Sequence, residues 1–293
     1  MENWENELTA LQKKANTGTA AFLILLIVSV FTFWRFGVFG LIPAVLAVAA
    51  CIYMAKNYKA FNTFYKEHVV RGILEEVFTD LEFSPKRGIP RETVYGTGMI
   101  QTGDTYSSND LITGKYRGVG FTQSDVHIEE TSTDSDGNTT STTLFRGRWM
   151  IFDFNKEFRC DLQVVSKRFF SSQRKGGLFA SKEERMDRLK MEDEDFNQKF
   201  RVYAQDEQEA FYILTPHLME KLLALQESIK APIMLAFTGG VLHLAVYDGK
   251  DAFEARPFSR ITPEKERERI LADIRPITAV VDELDLDRNM FKS

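Results

Sequence analysis

The densest run of polar side chains able to grip a ligand is Gly103-Asp104-Thr105-Tyr106-Ser107-Ser108-Asn109-Asp110. Asp125 and His127 follow two positions apart, which on a strand puts them on one face. Carboxylates beside an imidazole are raw material for general acid–base chemistry. Asp104, Asn109, Asp110, Asp125 and His127 are therefore the candidate ligand-binding residues. They make a membrane-anchored enzyme, its site assembled only in three dimensions, one reading of the chain. The competing reading is structural, because Ser-Asn-Asp between extended runs is first of all a turn. No motif assigns a catalytic residue. His68, His127, His217 and His243 lie far apart, and none has a His or Cys neighbour at metal-ligand spacing, so no metal is expected. Gly114-Lys115 and Gly249-Lys250 lack the rest of a phosphate-binding loop. Gly96-Thr97-Gly98 and Gly118-Val119-Gly120 lack the third glycine of a dinucleotide turn, and there is no Gly-x-Ser-x-Gly elbow. No cofactor is expected.

The stretch that must hold these candidates, residues 91–170, reads as β-rich. Its clearest piece is a hairpin centred on Asp136-Gly137, a dipeptide favoured in two-residue type I′ turns. That turn pairs Ser135 with Asn138 and sets Asp125 against Arg148, His127 against Arg146 and Glu129 against Leu144. Val126, Ile128, Phe145 and Trp149 then gather on the other face, giving a half-buried pair with its charged side in water. The tip, residues 131–143, is nearly all Thr, Ser, Asp, Gly and Asn. Aligned on Gly137 as a calcium loop, it has Thr143 where a bidentate Glu belongs, so a solvated turn is the better reading.

Tyr58, Phe61, Tyr65, Val69, Ile73, Val77 and Leu81 recur every three or four residues and predict an amphipathic helix through residue 81. It forms most of a stalk and linker, residues 55–90, closed by Ser84-Pro85 and Ile89-Pro90. Residues 171–199 read as loop and linker. Residues 167–182 mix cations with aromatics, a combination able to touch anionic headgroups, but Glu183 and Glu184 dilute the charge and favour a plain connection. Residues 200–293 read as a second α+β module. It has a strand at 200–204, a helix capped by Thr215-Pro216, and strands at 233–237 and 241–246 joined through Gly239-Gly240. A final helix starts at Thr262-Pro263 and is kinked or divided by Pro276.

Between residues 18 and 54 the only charged side chain is Arg35. A bilayer core takes about 20 apolar helical residues, so this stretch reads as a two-helix transmembrane hairpin, with spans at 20–33 and 38–54. Lys13 and Lys14 precede it, and Lys56, Lys59, Lys66 and Arg71 follow it. The positive-inside rule then puts both termini in the cytoplasm, with residues 1–17 as a cytoplasmic N-terminal segment. Two alternatives exist. One is a pair of buried helices in a soluble core. The other is lipoprotein processing at Val48-Ala49-Ala50-Cys51, which sits late, behind a complete first span. The chain carries a net charge of −5. Setting aside Lys13, Lys14, Arg35 and Lys56 against Glu2, Glu5 and Glu7 leaves 33 basic and 39 acidic residues beyond residue 56, a net of −6. That balance argues against nucleic acid as the main partner. Cys51 and Cys160 fall in different parts of the chain, so no intrachain disulfide is expected.

The strings Thr97-Gly98-Met99-Ile100, Ser108-Asn109-Asp110, the run from Phe121 to Glu129, the run from Arg146 to Asn155, and Leu214-Thr215-Pro216 together resemble a bacterial family known as domain of unknown function 3137. The resemblance covers nearly the whole chain and implies an N-terminal membrane hairpin. It brings no activity and no catalytic residues, and it suggests a LemA-type membrane protein as a partner. The expectation is an α+β soluble domain with largely antiparallel sheets, preceded by a two-helix transmembrane hairpin. Its role would be that of a membrane-anchored cytoplasmic binding or scaffold protein, recognising its partner through strands at 91–169 and 200–255.

Overall fold

Apolar side chains dominate two long helices, α1 (Asn3–Phe36) and α2 (Leu41–Phe64), joined by a single 3-10 turn, Gly37–Gly40. Gly37 ends α1 at a φ of +59°, the left-handed conformation that only glycine adopts without strain. The helices lie against each other. A Cβ on Gly18 would come within 3.0 Å of Met54 Cα, and the Ser29 hydroxyl donates to the Gly40 carbonyl at 3.1 Å. The helical stretch Trp4–Val77 is long and apolar enough to cross a membrane, and little of its most apolar part is buried.

The computed structural model describes residues 3–134, 136–153, 161–169 and 186–286, which form two units, 3–76 with 253–271 and 77–252 with 272–286. The basic stretch at 171–182 and Cys160 lie outside the described residues. In the first unit α2 runs through a π-helical turn, Tyr65–Val70, into α3 (Arg71–Val77). Phe61 and Tyr65 are fully buried there. The Tyr65 hydroxyl donates to Glu266 at 2.7 Å, near the start of α8 (Pro263–Glu283), and Glu266 pairs with Arg269 at 2.6 Å. Lys66 pairs with Glu254 at 2.7 Å. From α1, the Gln12 amide donates to the Pro257 and Ser259 carbonyls, and the Asn16 amide to Pro257.

The second unit is built on one antiparallel sheet, with β1 (Thr79–Ser84), β2 (Thr105–Tyr116), β3 (Val119–Thr133), β4 (Thr139–Asp153), β5 (Leu162–Ser166), β6 (Asp187–Leu189), β7 (Phe200–Ala204), β8 (Ile233–Thr238) and β9 (Val241–Val246). Their order across the sheet is β1-β2-β3-β4-β9-β8-β5-β7-β6. The helix expected to reach residue 81 stops at Val77, because Thr79 and Glu82 to Ser84 find partners on β2, with Leu81 at an irregularity between them. Short helices α4 (Arg91–Gly96), α5 (Glu194–Lys199) and α6 (Glu207–Ile213) precede α7 (Pro216–Ile229). Asp193, Asp206 and Thr215 cap α5, α6 and α7 by accepting from backbone amides in their first turns. One core cluster gathers Val126, Ile128, Phe145 and Trp149 with Met99, Ile100, Val165 and Met234. α8 continues through Pro276.

The β3–β4 register departs from expectation at its tip. Asp125 faces Arg148 and His127 faces Arg146, but Glu129 faces Thr143 rather than Leu144. The turn is one residue longer than a type I′ turn. The Asp134 amide donates to the Asn138 carbonyl at 3.0 Å, the Gly137 amide to the Asp134 carbonyl at 3.1 Å, and Gly137 takes a φ of +83°. The Asp134 carboxylate accepts the Asp136 and Asn138 amides. This extra residue is cancelled by a bulge between Ile128 and Glu129, so the pairs closer to the core keep the expected partners.

Candidate functional site

Asn109, Asp110 and Asp125 come together where β2 meets β3. The register jumps between Asn109 and Ile112, and Asp110 occupies this bulge with a left-handed φ of 56°. The bulge frees its backbone to bond a neighbouring segment. The Asp110 amide donates to the Pro85 carbonyl at 3.2 Å and the Leu111 amide to Arg87 at 2.9 Å. The Asp110 carboxylate accepts from the Asn109 amide at 2.8 Å. Asp125 lies opposite Asn109, and its Oδ2 accepts the Ala252 amide at 2.5 Å. Both carboxylates are buried. Burial first, and the Asp110 charge second, hold the Asp125 carboxyl well above the ordinary carboxylate range.

The face expected in water is therefore covered. What covers it is the turn after β9. Arg148 pairs with Asp248, and its other guanidinium nitrogen donates to the Asp273 carbonyl of α8 at 2.5 Å. Arg146 pairs with Asp251 at 2.9 Å, and its carbonyl accepts the Gly249 amide. Gly147 lets this turn approach, since a Cβ there would sit 2.0 Å from the Val246 carbonyl oxygen. The sequence singled out Arg146 and Arg148 as partners of His127 and Asp125, yet their ion pairs are with Asp251 and Asp248. No spacing in the sequence marks these pairs, since Arg146 and Arg148 stand two positions apart and Asp248 and Asp251 three.

The other two candidates stand apart. Asp104 is exposed and accepts the Thr131 amide at 2.7 Å, pinning the outer part of β3. His127 is half-buried with Nε2 3.4 Å from Glu129. Asp104, Asn109, Asp110 and Asp125 make internal hydrogen bonds, and the two clefts described in this unit lie elsewhere. Those clefts are one of about 480 Å³ beside Phe169 and Tyr247, and one of about 440 Å³ among Lys167, Arg188, Lys190 and Arg201. His243, unremarkable in sequence, is buried and accepts the Trp149 indole proton at 3.2 Å. Burial pushes its imidazole down to about 4, so it stays neutral.

An antiparallel α+β unit following apolar helices is the class of protein that this fold and surface define. Residues 143–286 match the family described as protein of unknown function (DUF3137), in agreement with the resemblance seen in the sequence. No curated protein matches the chain. A solved structure that does match is the crystal structure of the mycobacterial trehalose monomycolate transport factor A, TtfA. The two are 10% identical, with 76% of this chain and 95% of that chain covered and a TM-score of 0.36. These matches give no support for a LemA-type partner.

Proposed function

We propose that the protein is a bacterial inner-membrane binding or scaffold protein. In this reading α1 and α2 cross the bilayer as a hairpin, both termini face the cytoplasm, and the antiparallel sheet is the recognition module. The observation that carries it is the apolar surface of α1 and α2. Ile27, Trp34, Val45 and Ile52 are 69%, 81%, 70% and 67% exposed, within a run of similar residues from Leu23 to Tyr53. Each such side chain gains roughly 1.5–3 kcal/mol by leaving water, so this surface calls for lipid. The helices also satisfy their own polar groups, as hydrocarbon demands. Ser29 bonds the Gly40 carbonyl and Thr32 the Val28 carbonyl, and Gly18 allows close approach. Topology is supported by the bonds from Gln12 and Asn16, ahead of the first span, to the segment after β9. Residues before the first span and residues far beyond the second thus meet in one unit, which favours placing both on one side of the membrane.

The test is extraction and reporter fusion. The full-length protein should stay with membranes through an alkaline carbonate wash, and a cytoplasm-active reporter fused at Ser293 should work. Release by carbonate refutes the spanning helices. A reporter active only outside the cytoplasm, or mature protein acylated at Cys51, refutes the topology.

A further inference from the structure

We propose that the cleft at the β5–β7–β6 end of the sheet is a binding site for a phosphate group, an assignment that stands whether or not α1 and α2 cross a membrane. Its walls carry Lys167, Arg188, Lys190 and Arg201 against the single carboxylate Glu194, in a volume of about 440 Å³. The sheet gathers these cations. Arg188 faces Tyr203 and Leu189 faces Val202 across β6 and β7, so continuing the same register brings Lys190 beside Arg201. On the other side of β7, Val165 faces Arg201, and the Lys167 amide extends the ladder by donating to the Lys199 carbonyl at 2.8 Å. Lys190 is already paired with Glu194 at 2.7 Å. Lys167, Arg188 and Arg201 have no ion pair among the described residues, although the chain beyond residue 56 is acidic overall.

Three like charges on one cleft repel each other unless an anion joins them. Edge protection explains a charge on β6, the outermost strand. It does not explain Arg201, which is half-buried on an inner strand bonded on both sides. The wall opposite is fixed as well. Asn197 both accepts the Met191 amide at 3.0 Å and donates to the Met191 carbonyl at 2.6 Å, which holds the turn into α5. Two guanidinium forks and an ammonium match the charge and oxygen geometry of a phosphate better than those of a singly charged carboxylate. The same chemistry is offered by a free phosphate and by an anionic lipid headgroup.

Full-length protein in neutral detergent would be titrated calorimetrically at constant ionic strength. The probes are inorganic phosphate, dihexanoyl phosphatidate below its micelle concentration, and dihexanoyl phosphatidylcholine as the zwitterionic control. Saturable binding of phosphate or phosphatidate, weakened about tenfold or more in Lys167→Gln/Arg201→Gln, supports the site. Binding of both probes points to a soluble phosphate compound, and binding of phosphatidate alone points to a headgroup. If the double variant does not melt cooperatively, Arg188→Gln, altered at an exposed side chain, carries the test with an expected loss of about threefold. Absence of saturable binding by both anionic probes overturns the proposal, as does unchanged affinity in a folded variant or equal binding of the control. Membrane extraction reads none of these outcomes, so failure here leaves the membrane reading intact.

Discussion

Asp125 and His243 are buried titratable groups whose shifts act in opposite directions on stability. For Asp125 the folded state holds its proton more tightly than the unfolded chain does. Its contribution is therefore most favourable at low pH and is lost as pH rises through the raised folded value. Asp125→Asn keeps an acceptor for the Ala252 amide and removes the charge. Its melting temperature should exceed wild type at pH 8, with the gap closing toward pH 4. A gap constant across the series would assign the effect to packing instead. For His243 the folded value is about 4 against an ordinary 6.5, so the unfolded chain binds the proton first and stability is lost as pH falls from about 6.5. That shift corresponds to roughly 3 kcal/mol at full development. His243→Gln can still accept from Trp149, and it should flatten the acid limb of a pH–stability curve measured by chemical denaturation. The sequence made Asp125 visible through its place in an alternating strand. It hid His243, because nothing local marks a histidine whose surroundings arrive from β4 and β8.

At the scale of elements, the Arg146-Gly147-Arg148 run and the turn after β9 act as one clasp over the β3–β4 face. Gly147→Ala forces a Cβ into the Val246 carbonyl and should cost more than about 2 kcal/mol in urea unfolding. Gly72→Ala, in α3 with open space around its Cβ, should instead stabilise by about 0.5–1 kcal/mol. Arg148 and Asp248 should couple by roughly 1–3 kcal/mol in a double-mutant cycle, as a partly buried network does. Exchanging Asp125 with Arg148 should rescue nothing, because Arg148 has its carboxylate elsewhere; recovery in the exchange variant would contradict this. Alternation and turn residues made β3, β4, β8 and β9 legible, and capping residues made α7 legible. β1 was not, since Leu81 continues a helical spacing and only the edge of β2 turns it into a strand. The length of the Asp136-Gly137 turn was also hidden, because the Asp134 carboxylate selects the longer form. The basic cleft escaped notice because its cations come from segments that are separate in sequence.

For the whole molecule, the bonds within the first unit bear on where the chain can be cut. A variant beginning at Asn57 loses Gln12 and Asn16, which hold the Pro257 and Ser259 carbonyls, together with buried Leu8 and Ala15. Limited proteolysis should then cut first near residues 253–262 while the sheet resists. Equal resistance of that segment in the cut and full-length proteins would show that α1 contributes nothing to it. The strand order also has a consequence for synthesis. β4 has its inner partner in β9, which begins at Val241, long after β4 ends at Asp153. A ribosome adding about 5–20 residues per second leaves the inner edge of β4 without that partner for roughly 4–18 s. During that interval the nascent chain presents a long hydrogen-bonding edge rich in Phe, Trp and Ile to its surroundings. The protein's yield in the cell should therefore depend on chaperone supply more than the stability of its finished fold suggests.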